Sequence, residues 1–135
     1  MVAHTAIQVD QPAAAALMVR RDAFDEVGGF DEQFYPAWYE DVDFCLRVKE
    51  KGWELYFAAD AKFLHEGGYS AARMGAEDFL RSYYRNQLRY ARKHFGLMSV
   101  AAVRASIAAG MVGRMIARPN KAAAYSKALI AIVRG

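Results

Sequence analysis

The stretch Trp38-Tyr39-Glu40-Asp41-Val42-Asp43-Phe44-Cys45-Leu46-Arg47 decides how this chain is read. Three carboxylates fall within four positions, directly ahead of an apolar run. Val42, Cys45 and Leu46 stand at i, i+3 and i+4, Phe44 and Val48 at i and i+4, and Gly52 follows as a stop. This spacing predicts a short amphipathic helix over residues 40–51. Glu40, Asp41 and Asp43 then lie in its first turn, where the helix dipole favours negative charge by roughly 0.3–1 kcal/mol each. Acids are common in first turns, so the run taken alone reads as helix stabilisation. Arg47, four positions after Asp43, is placed for an ordinary ion pair along the helix.

Upstream of this helix, Asp22 is expected to cap a short helix that runs to Val27, with Gly28 closing it in the left-handed conformation. Gly29 to Phe34 reads as a tight turn, and Phe34-Tyr35-Pro36-Ala37-Trp38-Tyr39 as a semi-rigid aromatic loop. Ala13 to Val19 predicts a buried strand, although four consecutive alanines also suit a helix. Residues 1–12 give little periodic signal. Downstream, Trp53-Glu54-Leu55-Tyr56-Phe57 alternates as a half-buried strand should, and Lys62-Phe63-Leu64-His65 reads as a second short strand. Glu66 to Ser70 is a glycine-bearing loop. Three helices follow. One runs over 76–95 and stops at Gly96. The next is capped at Ser99, carries the stripe Val100, Val103, Ile107, Met111 and Met115, and is broken by Pro119. The last runs over 121–133 with Tyr125, Leu129 and Ile132 on one side. Arg104 and Arg114 interrupt the one long apolar region, which argues against a membrane span there.

The composition, 55 % hydrophobic and 13 % aromatic over 135 residues, is that of one folded domain rather than a disordered chain. A single cysteine excludes an internal disulfide, and Cys45 falls on the apolar helix face as a small core residue. With no signal-peptide pattern at the N-terminus, a reducing cytoplasmic setting is expected. The net charge of +3 conceals a division. Residues 1–78 hold 7 Lys/Arg against 15 Asp/Glu, a balance of −8, whereas residues 79–135 hold 11 against none. Such asymmetry points to an anionic partner, or else to cations that simply solvate helix faces.

Gly28-Gly29-Phe30-Asp31-Glu32, then Tyr39-Glu40-Asp41-Val42-Asp43, then Arg47, Gly52 and His65 closely resemble the C-terminal half of family 2 glycosyltransferases. These are inverting enzymes of the GT-A fold, here of the rhamnosyltransferase-like kind, and the resemblance covers about residues 13 to 95. It implies an α/β fold: the C-terminal portion of a GT-A domain with a short mixed sheet over 1–96, followed by a basic amphipathic helical tail over 97–135. The family's nucleotide-binding half, with its Asp-x-Asp motif after an apolar strand, is expected ahead of this segment. The literal Asp41-Val42-Asp43 is not that motif, because it opens a helix after aromatics.

By this resemblance Asp41 is the catalytic base, matching the second acid of the family's acidic pair, with Glu40 beside it. His65 joins the divalent metal, Mn2+ or Mg2+, that carries the donor diphosphate in the complete enzyme; imidazole nitrogen suits manganese, while magnesium prefers oxygen. Trp38 and Tyr39 are placed to stack on an acceptor sugar, with core packing as the alternative. Asp43 is counted with the substrate-binding residues, and either orients the base or pairs with Arg47. Ser70 and Arg73, after the histidine, belong to a region that folds over the donor in the family. Arg85-Asn86 matches a recurrent pair in the following helix, read as structural or diphosphate-facing.

The implied partners are a nucleotide-diphospho-sugar donor and a glycan or lipid-linked acceptor. An anionic surface on the inner face of the cell membrane would suit residues 97–135. The expected function is that of a fragment of a sugar transferase, inactive without its nucleotide-binding half. The alternative is a non-catalytic, self-associating module that forms a homodimer. Nucleic-acid binding ranks last, since the arginines follow no groove-reading motif.

Overall fold

The computed structural model describes residues 6–65 and 74–134, which divide into two compact units. The first unit takes the chain up to Tyr35 and resumes at Tyr39; the second combines Pro36–Trp38 with the helical C-terminal part.

The first unit is built around one helix. β1 (Ala6–Gln8) pairs antiparallel with β2 (Tyr56–Ala58), in the register Ala6 to Ala58, Ile7 to Phe57 and Gln8 to Tyr56. The Val9 amide continues the ladder by donating to the Leu55 carbonyl at 2.9 Å. Helices α1 (Arg21–Val27) and α2 (Glu40–Glu50) complete the unit. Phe44, Cys45 and Val48 project from α2 into the core, at 1 %, 0 % and 3 % exposure. Leu17, Val19, Phe24, Val27, Trp53 and Leu55 pack around them. Phe24, Phe30 and Phe44 form an aromatic trio, closest at 4.7 Å between the Phe30 and Phe44 centroids.

Glycines end both helices as the sequence predicts. Gly28 closes α1 at φ 74°, and its amide donates to the Asp25 and Phe24 carbonyls. Gly52, at φ 86°, follows α2; the Trp53 amide then reaches back to the Val48 carbonyl at 3.2 Å, satisfying the helix end. Gly29 has a further reason to be glycine. At φ 73° a Cβ there would sit 2.8 Å from Phe24 Cζ.

The described residues of the second unit form three α-helices: α3 (Ala76–His94), α4 (Leu97–Ala117) and α5 (Ala122–Arg134). A 3-10 turn at Pro119–Lys121 joins the last two, the break that Pro119 predicts. Leu88, Ile107, Met111, Tyr125 and Ala128 make the shared core, with Leu80, Tyr84, Val103, Met115 and Leu129 against it. The periodic stripes read from the sequence are therefore core stripes.

Several expectations are corrected. Residues 13–19 are not a strand: Ala14–Ala16 form a 3-10 turn, and Leu17 and Val19 enter the core from extended backbone. The segment that showed no period contains β1. Lys62 to His65 form no strand, and the predicted 53–57 strand is shifted to Tyr56–Ala58, with Trp53 and Leu55 serving the core. The sheet among the described residues is two-stranded and antiparallel rather than mixed. Arg20, not Asp22, occupies the cap position of α1, and α4 starts at Leu97, ahead of Ser99.

Candidate functional site

The acids at the start of α2 follow an unusual turn. Trp38 and Tyr39 both adopt left-handed backbone, at φ 70° and 75°. Neither is glycine, and each such residue stores of order 1–3 kcal/mol of strain that its surroundings must hold. On the Trp38 side the holder is visible. Asn86, fully buried on α3, donates from Nδ2 to the Ala37 carbonyl at 2.8 Å and the Trp38 carbonyl at 3.1 Å. Arg89 Nη1 in turn donates to Asn86 Oδ1 at 3.1 Å. The Trp38 ring packs edge-on against Phe79 at 4.4 Å and lies 6.3 Å from Tyr83. Trp38, expected at the substrate, thus sits in an aromatic cluster, the packing alternative. Asn86 takes the structural role of the two considered for it.

Asp41 sits in the first turn of α2, half-buried. Its Oδ1 accepts from the Val42 amide at 2.9 Å. Its Oδ2 accepts from the Ala14 amide and from Gln11 Nε2, each at 3.3 Å. A segment 27–30 residues upstream therefore fixes this carboxylate from outside its own helix. A carboxylate has about four acceptor positions, so among the described residues these three donors leave one, on Oδ1. Glu40 and Tyr39 are half-buried beside it in sequence.

Asp43 differs sharply from Asp41. Its side chain is 0 % exposed, and Oδ2 accepts from Arg47 Nε at 2.8 Å. The same guanidinium donates from Nη1 to the Val27 carbonyl at 2.6 Å and from Nη2 to the Gly29 carbonyl at 2.8 Å. Arg47 thereby fastens α2 to the end of α1 and to the glycine turn. The expectation that Asp43 meets substrate gives way to this buried tie, since a side chain without exposed surface offers nothing to a ligand.

Cys45 lies one helical turn beyond Asp41. Burial, then the nearby Asp41 charge, pushes its thiol up from 9.0 to about 11. A thiol held neutral is a core residue and not a nucleophile.

His65 is exposed and closes the described part of the first unit. Among the described residues no group of three or more His, Cys, Asp or Glu side chains could share a metal ion. Within the described residues His65 is a single exposed imidazole, too few ligands by itself to hold a divalent ion. Ser70 and Arg73 lie outside the described residues. A cavity of about 380 Å³ in the first unit is lined by Asp10, Lys49, Trp53 and Leu55 among others, at the end of α2 away from Asp41.

Sequence reasoning missed Gln11, Ala14 and the carbonyl partners of Arg47. The first two lie far from Asp41 in sequence, and backbone amides and carbonyls leave no residue-type signal.

A left-handed aromatic pair leading into a helix that opens with one accessible, fixed carboxylate and one buried, paired carboxylate gives the acidic motif a physical form. The family model described as "Glycosyl transferase family group 2" matches residues 12–126, and the chain belongs to that family. It is 33 % identical over 84 residues to the N-acetylglucosaminyl-diphospho-decaprenol L-rhamnosyltransferase of Mycobacterium tuberculosis, over 62 % of this chain and 27 % of that protein. It is also 41 % identical over 51 residues to a galactofuranosyl glycosyltransferase of Leishmania donovani, over 38 % of this chain and 12 % of that one. The chain thus spans about a quarter of the length of the rhamnosyltransferases it matches. No solved structure gives a significant match.

Proposed function

We propose that this chain carries the acceptor-side, proton-abstracting part of an inverting sugar transferase of the GT-A fold, with Asp41 as the base. The observation that supports it most is the contrast between the two aspartates. Asp43 is consumed by Arg47, while Asp41 is half-buried, immobilised by three donors and, among the described residues, left with an acceptor position. In this reading the acceptor hydroxyl donates to Asp41 Oδ1. Its oxygen attacks the anomeric carbon as the proton passes to the carboxylate. The bond from that carbon to the nucleotide diphosphate breaks, and the diphosphate departs with the electron pair. Attack opposite the leaving group inverts the anomeric centre. Positioned proton transfer of this kind contributes typically 10²–10⁴-fold to rate. Glu40 and Tyr39 shape the acceptor side of the base.

A nucleotide-diphospho-sugar donor, rhamnosyl by similarity to the Mycobacterium tuberculosis relative, and a glycan or lipid-linked acceptor are the proposed substrates. Donor binding falls to the nucleotide-binding half that these residues do not supply, so the 135-residue chain alone turns over little or no donor. A divalent cation would offset charge on the leaving diphosphate when bound. His65 is proposed as one ligand, with the remaining ligands drawn from the nucleotide-binding half.

The test is Asp41→Asn and Asp43→Asn, each in a protein that joins this segment to its nucleotide-binding half. Asp41→Asn is expected to lower kcat by about 10²–10⁴ with little change in donor KM. Asp43→Asn is expected to lower folded yield more than the activity of the folded fraction. An Asp41→Asn enzyme with near-parental kcat overturns the proposal.

A further inference from the structure

We infer that the outward face of α4 docks the three-helix unit onto an anionic lipid bilayer, with the helix lying in the plane of the interface. This rests on the surface of the second unit alone and is independent of the transferase reading. α4 is long and apolar enough, by length and composition, to cross a membrane, yet only 11 % of its most apolar 18-residue window is buried inside the molecule. Its outward residues are large as well as apolar: Leu97 and Met98 are 88 % exposed, Ile116 77 % and Val112 47 %. Phe95, 50 % exposed, extends the patch at the entry to the helix. The remaining exposed positions of α4 are alanine, serine and glycine apart from Arg114, and the helix holds one further charge, the half-buried Arg104, in its 21 residues. A water-facing helix ordinarily places its charges on its exposed face.

Exposed cations gather at the two ends instead. Arg92 and Lys93 precede the patch, Arg118 and Lys121 follow it, and Arg114 lies in the last turn of the helix. No Asp or Glu occurs beyond Asp78, so residues 79–135 carry charge of one sign. A helix of this length spans roughly 30 Å, with cations at both ends of an apolar face. That arrangement suits acyl chains beneath and anionic headgroups alongside the Lys and Arg side chains. Charge of one sign without an interleaved acid complements a uniformly anionic surface better than a protein surface of mixed charge. A crossing orientation conflicts with the opposite face, which commits Ile107 and Met111 to the core with Leu88 and Tyr125.

The test is flotation of the purified chain with vesicles of phosphatidylcholine alone or containing about one-third phosphatidylglycerol. Binding at least about tenfold tighter to the anionic vesicles is expected, falling severalfold from 0.1 M to about 0.5 M salt. Leu97→Glu with Met98→Glu should lower binding by at least about tenfold. Both side chains are almost fully exposed, so an unchanged circular-dichroism spectrum accompanies the loss. Arg118→Glu with Lys121→Glu should weaken binding to the anionic vesicles only. Equal binding to both vesicle types, binding to neither, or retention by the Leu97/Met98 variant would overturn the inference. So would a dimer in solution that the same variant dissolves, since a second copy would then own this face. Resistance to alkaline carbonate extraction would overturn the in-plane orientation.

Discussion

Replacing Arg47 with methionine should cost the first unit about 3 kcal/mol, because one guanidinium serves three acceptors. Nε meets Asp43 at 2.8 Å, Nη1 the Val27 carbonyl at 2.6 Å and Nη2 the Gly29 carbonyl at 2.8 Å. Methionine keeps the apolar stem, so the loss is that of the cation and its donors. Breaking a buried ion pair by deleting one partner costs about 3–5 kcal/mol. Here the Asp43 side chain is 0 % exposed but Arg47 is 17 % exposed, so water reaches one edge and the lower figure applies. Arg47→Lys keeps the charge but cannot serve a carboxylate and two carbonyls from a flat fork, and should lose about 1–2 kcal/mol. Asp43→Asn combined with Arg47→Met should lose less than the two single changes together, since no buried charge is then left behind.

Cys45, the single thiol, reports opening of the core that Arg47 fastens, because it is 0 % exposed. Labelling by a disulfide reagent in native buffer, where the opened fraction sets the rate, should accelerate roughly 100-fold in Arg47→Met. Urea unfolding followed by Trp53 fluorescence in a Trp38→Phe background should give the same free energy. An Arg47→Met chain within about 1 kcal/mol of the parent, or Arg47→Lys as damaged as Arg47→Met, would refute the reasoning.

Three further outcomes are expected. Gly29→Ala should destabilise by about 2–3 kcal/mol in urea, through its left-handed φ and the clash with Phe24. Gly28→Ala, with the same φ but nothing within 4 Å, should lose only about 1 kcal/mol. Asn86→Ala should remove about 2 kcal/mol from the second unit and reduce the near-ultraviolet dichroism of Trp38, whose carbonyl it holds. Because burial raises the Cys45 thiol from 9.0 to about 11, folding favours its neutral form. That contribution is complete below pH 9 and is lost as pH rises towards 11, about 2–3 kcal/mol in all. The difference in urea midpoint between the parent and Cys45→Ala should therefore shrink across that range.

The helices were legible from sequence because their signals are local. Val42, Cys45 and Leu46 set the inward face of α2, and Gly28 and Gly52 stop α1 and α2 by a property no other residue shares as cheaply. The stripe through Ile107 and Met111 found its core for the same reason. β1 was not legible: three residues are too few to show a period, and the partner at 56–58 lies about fifty positions away. Ala13 to Val19 misled because small apolar residues suit a strand, whereas only Leu17 and Val19 are needed in the core. At the site, the acidic pair and its resemblance marked Asp41, but which aspartate would be buried depended on Arg47 finding the Val27 and Gly29 carbonyls. That is a tertiary outcome. The roles of Gln11 and Ala14 likewise exist only once the chain has folded back.

The two left-handed residues before α2 bear on how this sequence can change. A search for sturdier variants would readily select glycine or asparagine at position 39, because either relieves torsional strain there by roughly 1 kcal/mol. The same exchange would widen the range of directions from which the backbone enters the helix, and so blur the aim of the carboxylate two residues on. With Asp41 in its proposed role as base, robustness and catalytic fitness pull this position in opposite directions, and a lineage that keeps an aromatic there gives up some of the first for the second.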